Sequence, residues 1–301
     1  MDHDRLFKEL LTSFFLEFLD LFVEDIAALI DRTQSPIFLD KETFGELTSD
    51  KRRELDLVAR VKLITGDAHF LVYMEPQAQW LDNFPEKMFS YFCRLWERHR
   101  IRVYPIAILS FRDHPEVQES ELAMRFPGLN VLNFRFAIVQ LNRLDWKAFI
   151  DKPNPVASAL MARMKFTPEE RPKVKVECLR LLATLRLQPA KSALISRFVD
   201  SYLRLTTEEV RRFDEILETI PEVEKQEIMQ IKTSWEEIGE QRGEQRGELK
   251  GLRNGLASGL RLNFGERAQN LIARLADCDL EALQQLERRL VPGVRLEDLE
   301  A

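Results

Sequence analysis

The sequence predicts an α/β core of about 145 residues followed by a helical half. Three observations carry this. The stretch from Glu54 to Gln79 splits into two β-rich runs, 55–64 and 68–74, around Thr65-Gly66-Asp67, the signature of a hairpin. That hairpin is flanked by two segments whose apolar residues recur at three- and four-residue steps, 4–31 and 82–100, the period of amphipathic helices. From Trp146 onward strand patterning stops and helix starts recur, one at Pro155 and the next at Pro168 or Pro172.

In chain order, Leu6, Leu10, Phe14, Phe18, Leu21 and Phe22 make one apolar stripe of an opening helix, widened by Phe7, Leu11, Phe15 and Leu19. Residues 36–47 read as a first strand headed by Pro36. After the hairpin, Asp82 is a candidate N-cap and Pro85 a first-turn proline of a helix to Arg100. Two strands follow, Val103–Phe111 and Asn130–Leu141, the second alternating Leu132, Phe134, Phe136 and Ile138 against Val131, Asn133, Arg135 and Ala137. The expected units are 1–145 (α/β core), 146–220 (helices packed on it), 221–259 (acidic helical linker) and 260–301 (a small helical unit).

Acids interrupt the hairpin. Asp56 stands in its first run and Glu75 ends its second, with Gln77 two residues on and so on the same strand face. With the turn at Gly66, Asp56 and Glu75 come level, and level residues of an antiparallel pair have Cβ atoms roughly 4.5–5.5 Å apart. A buried carboxylate is costly unless a cation compensates it, and two hard oxygen ligands at that spacing suit one divalent ion. The alternative for Asp56 is a solvated edge-strand acid, and for Glu75 a strand-end carboxylate.

An Asp on one strand and Glu-x-Gln at the end of the next resembles the PD-(D/E)XK nuclease core, an α-β-β-β-α-β-β mixed sheet. With the opening HDRLFKELL (His3 to Leu11), the match is closest to the Rpn-type recombination-promoting nucleases, also described as transposase-like. The resemblance implies that Asp56, Glu75 and the backbone carbonyl of Pro76 hold Mg²⁺ (or Mn²⁺), and that Gln77 orients the attacking water. It implies a metal-dependent DNA endonuclease, with a recombination or mobile-element role. Opening helices of this superfamily sometimes add an acid to the site, which here would be Glu9. Gln77 stands where lysine is commoner; a neutral amide positions water but supplies no positive charge. Pro76 lacks an N–H, which suits a strand end or bulge. These two departures motivate the alternative of a catalytically inactive nuclease-fold protein that acts as an interaction or DNA-tethering module.

Net charge is −6, so DNA contact calls for a local basic surface. Lys51, Arg52 and Arg53 precede Asp56 and would meet phosphates or form a solvated turn. Residues 165–212 carry eleven Lys/Arg against six acids, Lys173 and Lys175 among them: a DNA-facing surface, or a solvated one. Residues 214–250 reverse the sign, and glycines recur every fourth residue from Gly239 to Gly259. Such a stripe permits close helix approach or serves as a tether. About forty residues beyond it seldom fold unaided, so a homodimer or higher oligomer through the C-terminal helices is expected. Three dispersed cysteines suit a reducing compartment, the acidic N-terminus is unlike a signal peptide, and no uncharged apolar run of membrane length occurs. A cytoplasmic protein with no membrane partner is expected.

Overall fold

The computed structural model describes residues 3–39, 57–112, 114, 116–276, 278–291 and 294–300. The chain divides into two compact units, Met1–Lys232 and Thr233–Ala301.

The first unit opens with three helical pieces, α1 (His3–Ser13), α2 (Phe15–Phe22) and α3 (Glu24–Ala27), then strand β1 (Ile37–Phe38). The hairpin is β2 (Leu57–Lys62) and β3 (His69–Gln77), and helix α4 (Phe84–His99) crosses to β4 (Val103–Leu109). Strands β5 (Glu121–Phe126) and β6 (Leu129–Arg135) pair with each other as a separate two-stranded sheet, and β7 (Ala137–Gln140) returns to the main one. The main sheet is mixed, in the order β1-β2-β3-β4-β7: β1, β2 and β3 run antiparallel, while β3, β4 and β7 are parallel. This is an α/β fold.

The hairpin register follows from its turn. Gly66 takes a left-handed φ of 86°, a conformation that costs glycine little, and the described ladder runs from Lys62↔His69 to Leu57↔Met74. Alternation then sends Phe70, Val72 and Met74 to one face, and Leu71, Tyr73, Glu75 and Gln77 to the other. The first face is covered by α1 and α2 and by helices α5 (Pro155–Leu160), α6 (Arg171–Thr184) and α7 (Pro189–Tyr202), in one core that includes Phe14, Phe18, Trp146 and Phe198. The second is covered by α4 and the β5–β6 hairpin, with Phe84, Met88, Tyr91, Leu95, Phe134 and Phe136. Helix α8 (Thr207–Leu217) packs Phe213 and Leu217 on α6.

Several expectations change. The opening helix is broken near Phe14 and Val23; its aromatic residues lie on too many sides for one straight helix to bury, and the bends bring Phe14, Phe15 and Phe18 all inside. The expected strand 130–141 is two strands in two sheets. Phe134 and Phe136 do share one buried face, as alternation predicts, but the backbone partner switches between them, with the Phe136 N–H donating to the Ser120 carbonyl. Side-chain period determines which face is buried and leaves the choice of neighbouring strand open. The N-cap of α4 is Asn83, while Asp82 accepts from the Trp80 indole at 2.8 Å. Of the expected strand 36–47, Ile37–Phe38 is seen, and the rest lies outside the described residues.

Helix α9 (Glu222–Phe264) carries the glycine repeat. In the second unit it is followed by α10 (Gln269–Arg274), α11 (Leu280–Arg289) and α12 (Leu296–Glu300). Leu256, Leu260, Leu271, Leu275, Leu283 and Leu286 form that unit's core, with Leu249 and Leu252 packed against it. The core thus reaches back into the repeat. A Cβ on Gly259 would sit 3.0 Å from Leu290 Cδ2, whereas Gly247, Gly251 and Gly255 face open space.

Candidate active site

The candidate site lies at the C-terminal end of β3, beneath the first two turns of α4. Tyr73, Glu75 and Gln77 project from one face by alternation. Helix α4 starts behind Asn83 with Pro85 in its first turn; its 3.6-residue period turns Phe84, Lys87, Met88 and Tyr91 toward that face. Lys87 is the one charged member of this otherwise apolar stripe.

Glu75 is 2 % exposed. One carboxylate oxygen, Oε1, lies 2.6 Å from Lys87 Nζ, and the other, Oε2, accepts from the Tyr73 hydroxyl at 2.6 Å. Tyr73 is fully buried and meets the Tyr91 ring edge-on at 5.9 Å. Lys87 Nζ also donates to Gln77 Oε1 at 2.9 Å, and Gln77 Nε2 donates to the Gln79 carbonyl at 2.7 Å. A buried carboxylate loses the hydration that stabilises its charge, and an ammonium at contact distance restores it. The Lys87 side chain keeps 26 % of its surface exposed, and an ammonium has three donors. Two are directed at Glu75 and Gln77, which leaves one for an acceptor arriving from solvent, such as a phosphate oxygen.

Pro76 occupies the last rung but one of β3, opposite Ile108 of β4, so the missing N–H falls near a strand end. Asp56, Lys51, Arg52 and Arg53 lie outside the described residues; the described ladder ends at Leu57↔Met74. Among the described residues no group of three or more His, Cys, Asp or Glu converges as a metal cluster. What fits a hard divalent ion here is the chemistry of two donors, the buried Glu75 carboxylate and the adjacent Pro76 carbonyl. In this structure the charge of Glu75 is met by the ammonium of Lys87.

The other candidates lie elsewhere. Glu9 pairs with Arg197 at 2.5 Å. Lys173 is exposed on α6, while Lys175, 17 % exposed, pairs with Asp200 at 2.5 Å and donates to the Leu203 carbonyl. Much of the basic run 165–212 is matched by acids within the fold, Arg171 by Glu209, Arg180 by Glu224 and Arg211 by Glu208. A charge tally along the chain does not register partners that folding brings in from elsewhere.

Sequence reasoning missed Lys87 and Tyr73. Both carried a signal. Lys87 interrupts the apolar stripe of α4 at a position spaced to face the sheet, and Tyr73 lies two residues before Glu75, on its face. Comparison of the chain with family models, with curated proteins and with solved structures returns no match.

Proposed function

We propose that this chain is a metal-dependent DNA endonuclease, a phosphodiester hydrolase built on a PD-(D/E)XK core of the Rpn type. The observation that carries the reading is the placement of Lys87 against Glu75 and Gln77. The Glu-x-Gln motif lacks a cation, and α4 brings one to the same point. The order of the elements, with three antiparallel strands and a helix crossing to a parallel fourth, supports the same core.

Mg²⁺ (or Mn²⁺), held by Asp56, Glu75 and the Pro76 carbonyl, would supply Lewis acidity and a hydroxide at neutral pH. The chain's own residues do the rest. Tyr73 holds the Glu75 carboxylate in one orientation. Gln77, fixed by Gln79, accepts from Lys87 and aims its ammonium. Lys87 directs its remaining donor at a phosphate oxygen, where it offsets charge that builds up in the transition state. Cutting both strands of a duplex calls for two such sites; we assign chain pairing to the C-terminal helices, where Leu262 and Val291 are exposed.

A second reading is favoured by one observation: both Glu75 oxygens already have partners within the chain, as in a structural ion pair of an inactive nuclease fold. Plasmid cleavage with Mg²⁺ or Mn²⁺ decides. Nicking by the wild-type chain that is lost in Asp56→Ala, Glu75→Ala and Lys87→Ala supports the hydrolase. No cutting by the wild-type chain, together with no metal-dependent gain in Tm, supports the inactive module.

A further inference from the structure

We infer that the stacked rings of Trp80 and His114 bind an unpaired base of a nucleic-acid substrate. They stand at the carboxyl edge of β3 and β4, on the face of the sheet that carries Glu75 and Gln77. The inference deepens the hydrolase reading, on which it rests for the choice of a nucleic acid over another planar ligand.

Two loops supply the rings. Strands β3 and β4 run parallel and end together at the Gln77↔Leu109 rung, and the Ser110 N–H donates to the Gln77 carbonyl at 2.9 Å. Phe111 follows that bond on one side, and Ala78, Gln79 and Trp80 follow it on the other. Trp80 and Phe111 pack into the layer that the sheet forms with α4, the layer to which alternation turns Glu75 and Gln77. The Gln77 amide donates to the Gln79 carbonyl, so the residue before Trp80 already takes part in the site. His114 stacks on Trp80 with ring centroids 3.7 Å apart and planes 7° from parallel. In open α/β sheets ligands bind outside the carboxyl ends of the strands, which is where this pair stands.

The pair has the geometry of a platform. Phe111 meets Trp80 at 5.6 Å and His114 at 6.5 Å, edge-on to both. With 3.7 Å between the stacked centroids, these separations set Phe111 beside the pair and over neither ring. Phe111 therefore takes neither outer face, and Trp80 and His114 are each half-buried. Both rings are held in advance. The Trp80 indole N–H donates to Asp82 at 2.8 Å. Asn142 donates to the His114 carbonyl at 3.0 Å, and the Gln140 amide bonds the backbone of Glu116 and Gln118. A histidine kept only to pin this loop would do so through its ring nitrogens. Instead Nδ1 is buried without a hydrogen-bond partner among the described residues, and the loop is tied down through its backbone. What the imidazole adds is a π face. A base inside a duplex has both faces covered by its neighbours, so the platform can take only a base outside the stack. Such a base lies in a single strand or is extruded from a duplex.

The test is fluorescence anisotropy with the full chain in EDTA. The probes are a labelled single strand, a blunt duplex and the same duplex with one unpaired nucleotide. Wild type is compared with His114→Phe, which keeps an aromatic face, and His114→Leu, which keeps bulk without one. The expected result on the single strand is binding at least about fivefold weaker in His114→Leu, the low end for loss of one stacked base, and near-wild-type binding in His114→Phe. A loss confined to the two probes with unpaired nucleotides identifies a base that is already free; an equal loss on the blunt duplex identifies an extruded one. If either variant loses its cooperative melt, Trp80→Phe and Trp80→Leu make the same comparison on the other ring. No single-strand binding by the wild-type chain, wild-type affinity in the leucine variant, or a phenylalanine variant as weak as the leucine one overturns the inference. Cleavage with Mg²⁺ or Mn²⁺ separates the two readings. Ring-dependent binding without any cutting sinks the hydrolase and leaves the base site; equal cutting of all three probes by wild type and His114→Leu does the reverse.

Discussion

Removing Lys87 should cost this protein far more than removing an ordinary surface lysine. In Lys87→Met the aliphatic bulk stays and the ammonium leaves, so Glu75, 2 % exposed, keeps its charge without the partner at 2.6 Å. Breaking a buried pair from one side typically costs about 3–5 kcal/mol, because the remaining charge has neither water nor a counter-charge. Two features put the expectation at the lower end. The Tyr73 hydroxyl still donates to Glu75 at 2.6 Å, and the 26 % exposure of Lys87 lets some water in. We expect about 3 kcal/mol, which for a urea slope of about 2–3 kcal/mol per molar shifts the midpoint by about 1–1.5 M. Tryptophan fluorescence reads this directly, since Trp80, Trp96 and Trp146 all belong to the unit that holds the site. The cycle is completed with Glu75→Gln and the double variant. Because Glu75→Gln removes the stranded charge, the double variant should be more stable than Lys87→Met alone, and the cycle of the two singles and the double should give a coupling energy of about 1–3 kcal/mol. It should remain as inactive in cleavage as either single variant. A cost below about 1 kcal/mol for Lys87→Met, or a double variant less stable than Lys87→Met, would refute the idea that Lys87 compensates a buried carboxylate.

Three further outcomes follow from the structure. His99 is held below its ordinary value of 6.5, chiefly by burial and then by Arg98 and Arg60; the folded chain therefore binds fewer protons there than the unfolded chain, and stability should fall as pH drops below about 6.5, with a slope that urea midpoints show to be reduced in His99→Gln. Burial pushes the Cys178 thiol well above its ordinary range, so iodoacetamide at pH 8 should leave Cys178 unmodified in the native chain and alkylate it after denaturation, as peptide mass spectrometry reads. Gly251→Ala and Gly255→Ala meet open space and should each stabilise α9 by up to about 1 kcal/mol; Gly259→Ala, which places a methyl 3.0 Å from Leu290 Cδ2, should give no such gain, and thermal melts of the three variants test the contrast.

The local periods of this chain determined a good deal of it. Apolar recurrence over 84–99 and β-rich runs around Gly66 produce α4 and the β2–β3 hairpin with the register expected, because helix period and turn conformation are properties of a few neighbouring residues. Alternation likewise placed Phe134 and Phe136 on one buried face. Tertiary structure decided what local periods cannot specify. It determined that the strand through Phe136 changes sheets, and that Arg197 finds Glu9 from the opposite end of the unit. Above all it determined that the cation beside Glu75 comes from a helix twelve residues downstream in the chain. Long-range pairing of charges depends on where whole elements pack, and only the packed sheet and helix bring that lysine to that carboxylate.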